Sequence, residues 1–301
     1  MNVRFSVTLR SFPGDTRDAL RAASAAGFTG VLLDSISPTL KPHELSQTGR
    51  RELLHLVSSS NLTLTGLQAR LPGDGFAPKA DVEQSLAHAT RAMQACADLK
   101  APLLCLDVGP LPSAPVEDLP KPAVTEAMLG LLVLPTKKDV ERIAAPLTSV
   151  AKSDPAFEDS VNAALTELGQ RADRFGVVVA IRSSLASHAS IDRALKAVRC
   201  PWFGVDLDPV ALLADEMPVD EVFARIGPLV RHVRGRDAVR GLGNRVQTTL
   251  LGEGKVDWTG LRALLDDAGY AGPITVDPSD LPNTAIAASL GRTTLERVWG
   301  R

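Results

Sequence analysis

Short runs of β-branched residues and leucine recur along the chain, each followed by a longer segment whose apolar residues return every three to four positions. The short runs predict strands at Val3–Leu9, Gly30–Leu33, Leu62–Leu67, Pro102–Leu106, Val177–Ile181, Phe203–Leu207, Leu229–Val233 and Ile274–Val276. The longer segments predict helices at Thr16–Ala26, Pro42–Ser59, Asp81–Leu99, Phe157–Phe175, Ser190–Val198, Val210–Ile226, Trp258–Ala268 and Thr284–Trp299. Strand and helix in strict alternation make eight βα units in 301 residues, which suits one closed (β/α)8 TIM barrel spanning residues 1–301.

Local chemistry agrees with several of these boundaries. Asp15 and Asp81 stand where helix N-caps are needed, and Gly27 and Gly269 follow predicted helices where a left-handed residue would end them. The rival arrangement is an open doubly wound sheet. It lacks its glycine-rich phosphate loop here, because the first strand runs into Leu9-Arg10-Ser11-Phe12-Pro13-Gly14. One stretch breaks the alternation: Asp107 to Pro155 is far longer than an ordinary connection and reads as an insertion after the fourth strand. It leaves the C-terminal face of the barrel, where active sites of this fold lie, and is expected to pack over or beside that mouth. A lid, a dimer contact and a packed decoration all fit its proline-rich start and its apolar centre, AMLGLLVL at 127–134.

Composition narrows the function. The chain is 45% hydrophobic and 23% charged, with Lys+Arg 33 against Asp+Glu 35, so no positive excess exists to neutralise a nucleic acid or an anionic membrane. Neither partner is expected. Aromatics at 4% leave few rings for stacking bases. The N-terminal MNVRFSVTLRSF alternates like a strand instead of forming a signal peptide, and the most apolar stretch falls short of a membrane span. Cys96, Cys105 and Cys200 have no paired spacing. A cytoplasmic protein is the expectation, with a homo-oligomer left open. No GxSxG elbow and no HExxH motif is present, so hydrolase and zincin chemistry lack their signatures.

Towards the C-terminus the chain reads RHVRGRDA at 231–238, LGEGKVDW at 251–258 and DDAGYAGPITVD at 266–277. Together with SFPGDTRDALRAASAAGFTGVLLD at 11–34 and FGVDLDPVALL at 203–213, these segments resemble the xylose isomerase-like TIM-barrel family. That family groups sugar and sugar-phosphate isomerases and epimerases, inosose dehydratases and metal-dependent apurinic endonucleases. The resemblance implies a divalent metal held by a glutamate ending strand five, an aspartate ending strand six, a histidine ending strand seven and a glutamate ending strand eight. This sequence departs from that pattern. Arg182 takes the first position and Arg234 the third, Asp208 keeps the second, and Asp277 shortens the fourth by one methylene. A guanidinium offers no lone pair to a metal, so no metal and no other cofactor is expected. Arg182 is expected to pair with Asp208 or Asp277 in the space of the missing ion.

Strand ends at the predicted mouth also contribute Arg10, Asp34, Gln68, Arg70, Asp107 and Arg236. If Arg182, Asp208, Arg234 and Asp277 point inward, then Ala180, Asp206, His232 and Thr275 face the axis one layer below, with Asp206 beside His232. Asp208 and Asp277 are the candidate catalytic carboxylates; Arg10, Arg70, Asp107, Arg182, His232, Arg234 and Arg236 are candidate substrate contacts. Guanidinium groups favour an anionic ligand such as a sugar acid or sugar phosphate, and a polyol also fits. His43, His55, His88 and His188 read as surface residues, and Glu253 as a loop former. Two functions remain: an isomerase or epimerase acting on a small sugar, sugar acid or polyol, and a non-catalytic relative that binds a small anion or a partner protein. The fold alone does not separate them.

Overall fold

A computed structural model describes residues 4–37, 40–77, 79–112, 155–182, 188–214, 219–240 and 246–300. Eight parallel strands close into a barrel: β1 (Phe5–Thr8), β2 (Gly30–Asp34), β3 (Thr63–Arg70), β4 (Leu103–Asp107), β5 (Val178–Arg182), β6 (Phe203–Leu207), β7 (Val230–Gly235) and β10 (Ile274–Val276). Neighbours run in chain order, and β1 pairs with β10 to complete the circle through Phe5↔Ile274 to Val7↔Val276. Helices α1 (Thr16–Ala25), α2 (Gln47–Ser59), α3 (Val82–Leu99), α4 (Pro155–Phe175), α5 (His188–Val198), α6 (Pro209–Ala214), α7 (Val219–Ile226), α8 (Trp258–Asp267) and α9 (Thr284–Trp299) lie between the strands in sequence.

The core has two parts, set by the alternation of side chains along each strand. Outward-facing residues such as Val7, Leu33, Leu104, Leu106, Val179 and Val205 join the helix faces in one large apolar cluster. Inside the barrel, Leu32, Leu103, Cys105 and Ala180 form a small apolar layer, and buried polar groups fill the space towards the C-terminal mouth. The expected caps are in place. Asp15 accepts the Asp18 amide at 2.9 Å and Asp81 the Gln84 amide at 2.9 Å, while Gly27 and Gly269 take φ of 83° and 68°.

The structure revises several boundaries. Residues 42–59 form a 3-10 turn at Pro42–Glu44 and then α2, because Leu45 is extended and the Ser46 hydroxyl caps the Gly49 amide. The expected helix Val210–Ile226 is two helices, α6 and α7. Between β7 and α8 lies an unexpected antiparallel ribbon, β8 (Asp237–Arg240) with β9 (Val246–Thr249). His188, expected at the surface, is buried, and among the other three only His55 is exposed, while His43 and His88 are half-buried. Residues 113–154 of the predicted insertion, including its apolar centre and its expected place over the mouth, lie outside the described residues. Its root is fixed by two glycines: a Cβ on Gly75 (φ 64°) would lie 2.0 Å from the Val108 carbonyl oxygen, and Gly109 (φ 76°) packs against Asp74. The loops leaving β3 and β4 therefore cross with their backbones in contact.

Candidate functional site

The closed barrel brings the ends of β1, β2 and β4 to β7 and the exit of β10 into one ring, and the side chains there are almost all charged. Parallel register sets Asp107 against Arg182, and Thr275 against Arg234. The Arg182 guanidinium lies between two carboxylates, donating to Asp107 Oδ2 at 3.2 Å and to Asp208 Oδ2 at 3.3 Å. It makes the expected contact with Asp208. Asp277 is instead held by Arg234, whose Nη1 sits 2.6 Å from Asp277 Oδ2 and 3.2 Å from the Gln68 side-chain oxygen, while its Nε donates to Asp206 Oδ2 at 2.9 Å. Arg236 joins Asp208 to Asp280. Arg10 donates to Ser279 at 2.9 Å and lies 3.5 Å from Asp277 and 3.6 Å from Asp34.

One layer deeper a wholly buried chain of hydrogen bonds crosses four strands. His232 Nδ1 is 2.6 Å from Asp206 Oδ1, its Nε2 is 2.7 Å from the Thr275 hydroxyl, and Thr275 in turn meets Ser6. The expected neighbours Asp206 and His232 are thus directly bonded. The same geometry takes His232 out of the set of substrate contacts, because both ring nitrogens are engaged and the side chain has no exposed surface. Arg70, likewise expected at the ligand, is exposed at the end of β3 and joins no ion pair among the described residues.

Burial by itself would raise the carboxyls of Asp206 and Asp277. Burial is the largest single influence, but Arg234 and His232 together outweigh it at Asp206, and Arg234, Arg10 and the Ser279 hydroxyl together outweigh it at Asp277, so both are held far below the ordinary carboxylate range. Asp34 moves the other way: burial raises it more than Arg10 and Gln68 lower it. Its side chain is 22% exposed, against 3% for Asp277 and 7% for Asp208. Asp34, Gln68, Asp206, Ser279 and Asp280 carry this network without having been singled out as site residues. The one signal for Asp34 was its position at a strand end.

The residues do not fit a divalent cation at the strand ends. Two positions carry guanidinium groups, and the remaining carboxylates, Asp208 and Asp277, already accept from them. Cys105, Asp206 and His232 also converge, with ligand atoms within 4.8 Å of one another. That trio suits a metal no better, since His232 has no spare nitrogen, Arg234 holds Asp206, and burial pushes the Cys105 thiol well above its usual range.

A cavity of about 380 Å³ opens beside the ring between the exits of β1 and β2. Arg10, Asp15 and Asp34 supply its charged wall, and Leu9, Phe12, Leu33 and Ile36 much of its apolar one. The Asp237 carboxylate organises the neighbouring 250–257 loop, accepting from the amides of Gly252, Val256 and Ala238 and from the Trp258 indole. Loop shaping thus rests on Asp237, while Glu253 is exposed. No helix among the described residues is long and apolar enough to cross a membrane.

A family described as xylose isomerase-like TIM barrel matches residues 20–294. Among solved structures, the chain is similar to a xylose isomerase-like TIM barrel protein from Mycobacterium smegmatis in complex with magnesium, at 15% identity over 99% of this chain and 97% of that one, TM-score 0.69. It is similar to the D-allulose 3-epimerase from Methylomonas sp. in complex with D-allulose, at 18% identity over 99% and 97%, TM-score 0.64. It is also similar to the probable 3-DHS dehydratase from Bacillus anthracis, at 14% identity over 97% and 98%, TM-score 0.67. No curated protein matches the chain.

Proposed function

The chain belongs to the xylose isomerase-like TIM barrel family, and from that premise we propose that it is a sugar isomerase- or epimerase-like protein that works on a small polyhydroxy compound without a divalent metal. The observation that carries this reading is the pair of guanidinium groups, Arg182 and Arg234, each bridging two carboxylates where the family pattern calls for metal ligands. Similarity to the Methylomonas D-allulose 3-epimerase agrees with it. Isomerisation needs a carboxylate to take a proton beside a carbonyl and a fixed positive charge to stabilise the resulting enediolate oxygen. The sequence nominates Asp208 and Asp277 for the first task and Arg182 and Arg234 for the second. Arg10, Arg182, Arg234 and Arg236 already face Asp34, Asp107, Asp206, Asp208, Asp277 and Asp280, so among the described residues the ring has no unpaired positive charge for an anion apart from the exposed Arg70 at the end of β3. A neutral polyol or sugar is therefore the better ligand class than a sugar acid or phosphate.

The second reading, a non-catalytic relative, is favoured by one observation: Asp277 is held far below the ordinary carboxylate range, which makes it a weak base. Chelator-treated protein in D2O, mixed with a panel of ketoses and aldoses and followed by proton NMR, separates the two. Metal-independent loss of a carbon-bound proton signal in at least one sugar is the expected result. Saturation-transfer binding without exchange favours the non-catalytic relative, and exchange only after adding manganese or magnesium overturns the metal-free site.

A further inference from the structure

Resting on the isomerase-like reading, we propose that Asp34 is the proton carrier and Arg10 the oxyanion partner of a site in the cavity between β1 and β2, and that its substrate is a short α-hydroxycarbonyl compound with a small apolar substituent. Among the inward carboxylates of the mouth, Asp206, Asp208 and Asp277 are closed off by guanidinium groups and nearly without exposed surface. Asp34 keeps 22% of its side chain open and lines the cavity. Gln68 Nε2 holds Asp34 Oδ1 at 3.0 Å, which fixes the carboxyl and leaves Oδ2 for a substrate. Arg10 is anchored on Ser279 and Asp277, with its Nη1 3.6 Å from Asp34 Oδ1. Two adjacent ligand oxygens, one hydroxyl and one carbonyl, match that pair of groups in spacing and in donor and acceptor type.

The balance of the step needs nothing else. Asp34 takes the proton from the carbon bearing the hydroxyl, and that C–H electron pair becomes the C=C bond of an enediol. The carbonyl π pair moves onto oxygen, where Arg10 stabilises it. Return of the proton from Asp34 to the former carbonyl carbon, with a proton shift between the two oxygens, moves the carbonyl by one position. Burial raises the proton affinity of Asp34, against Arg10 and Gln68, which brings it nearer the range a proton shuttle needs. Leu9, Phe12, Leu33 and Ile36 make much of the remaining wall, and of its polar side chains Asp15 already caps the Asp18 amide and Ser37 already bonds the Leu40 backbone, which leaves the Thr16 hydroxyl, so a fully hydroxylated chain would lose most of its water there without compensation. An alkyl or deoxy end suits it.

Acetoin and dihydroxyacetone serve as probes, with chelator-treated full-length protein in D2O and proton NMR of the carbinol signal. The unmodified protein is expected to exchange acetoin faster than dihydroxyacetone. Asp34→Asn should lower the acetoin rate by about 100-fold or more, Asp34→Glu should retain part of it, and Arg10→Gln should lower it by roughly tenfold. Both Asp34 variants should keep the circular dichroism spectrum of the parent. Exchange that survives Asp34→Asn within about threefold, or that favours dihydroxyacetone, overturns the proposal. If the sugar panel exchanges but acetoin does not, this site assignment fails while the isomerase-like reading stands; if neither exchanges, both fail.

Discussion

Arg234 and Asp277 meet at 2.6 Å, Nη1 to Oδ2, at the ends of adjacent strands, and each side chain is only 3% exposed. The same guanidinium holds Asp206, so one cation pairs with two buried carboxylates contributed by β6 and by the exit of β10. Replacing Arg234 by leucine leaves both without their main partner. Loss of one member of a buried ionic group typically destabilises by about 3–5 kcal/mol. Urea unfolding of Arg234→Leu should show a loss in that range, and Arg234→Lys should recover only part of it because an ammonium lacks the planar fork. A leucine variant within about 0.5 kcal/mol of the parent contradicts the assignment.

The depressed carboxyls fix the sign of the acid response. Asp206 and Asp277 have folded-state values below their unfolded ones, so their stabilising contribution is complete above about pH 4 and disappears as pH falls through the folded range. Asp34 is raised and acts oppositely: its ionised form disfavours folding, and that penalty lessens as pH falls below its folded value. Melting temperatures between pH 6 and pH 3 should therefore fall less steeply for Asp277→Asn than for the parent, while Asp34→Asn should gain most at the upper end. Parallel curves for Asp277→Asn and the parent would leave Arg234 without its effect on Asp277.

Much of the barrel was legible because apolar periodicity reports directly which face of a local segment is buried. All eight barrel strands stand where their runs placed them, and the alternation rule put Asp206 beside His232. The pairing of the mouth was less legible. Arg182 divides itself between Asp208 and Asp107, the latter 75 positions away, and such a choice depends on strand register and side-chain reach. The β8–β9 ribbon was missed because its residues alternate weakly and five of the eight are polar. Asp34 was seen as a strand end but not as a site, since access to a cavity is a property of the loops around it.

The 250–257 loop gives a test independent of the ion pairs. A Cβ on Gly254 would fall 1.9 Å from Asp237 Oδ1, the atom that accepts the Ala238 and Val256 amides. Gly254→Ala must displace that carboxylate or the loop. Asp237→Ala removes the acceptor of four N–H groups and should destabilise by about 3 kcal/mol or more, each charge-assisted bond being worth roughly 1.5–3 kcal/mol. In both variants trypsin should cut after Lys255 faster than in the parent, as shown by mass spectrometry of the fragments. Unchanged cleavage would mean that Asp237 does not hold the loop.

The metal-free reading makes its sharpest prediction about a gain. Arg182 and Arg234 place fixed positive charge where the family pattern has a glutamate and a histidine, so a divalent ion meets repulsion as well as two missing donors. Arg182→Glu together with Arg234→His restores both ligand types and frees Asp208 and Asp277 of one guanidinium each, leaving Arg236 on Asp208 and Arg10 beside Asp277. Some stability is lost with the ion pairs, but a bound cation restores it by mass action, since it binds the folded state alone. Manganese should therefore raise the melting temperature of the double variant by several degrees and leave the parent unmoved. Elemental analysis after dialysis should find close to one equivalent in the variant and none in the parent. One tightly held equivalent of manganese, magnesium or zinc in the parent would overturn the guanidinium-for-metal reading and restore metal-dependent isomerisation as the favoured chemistry.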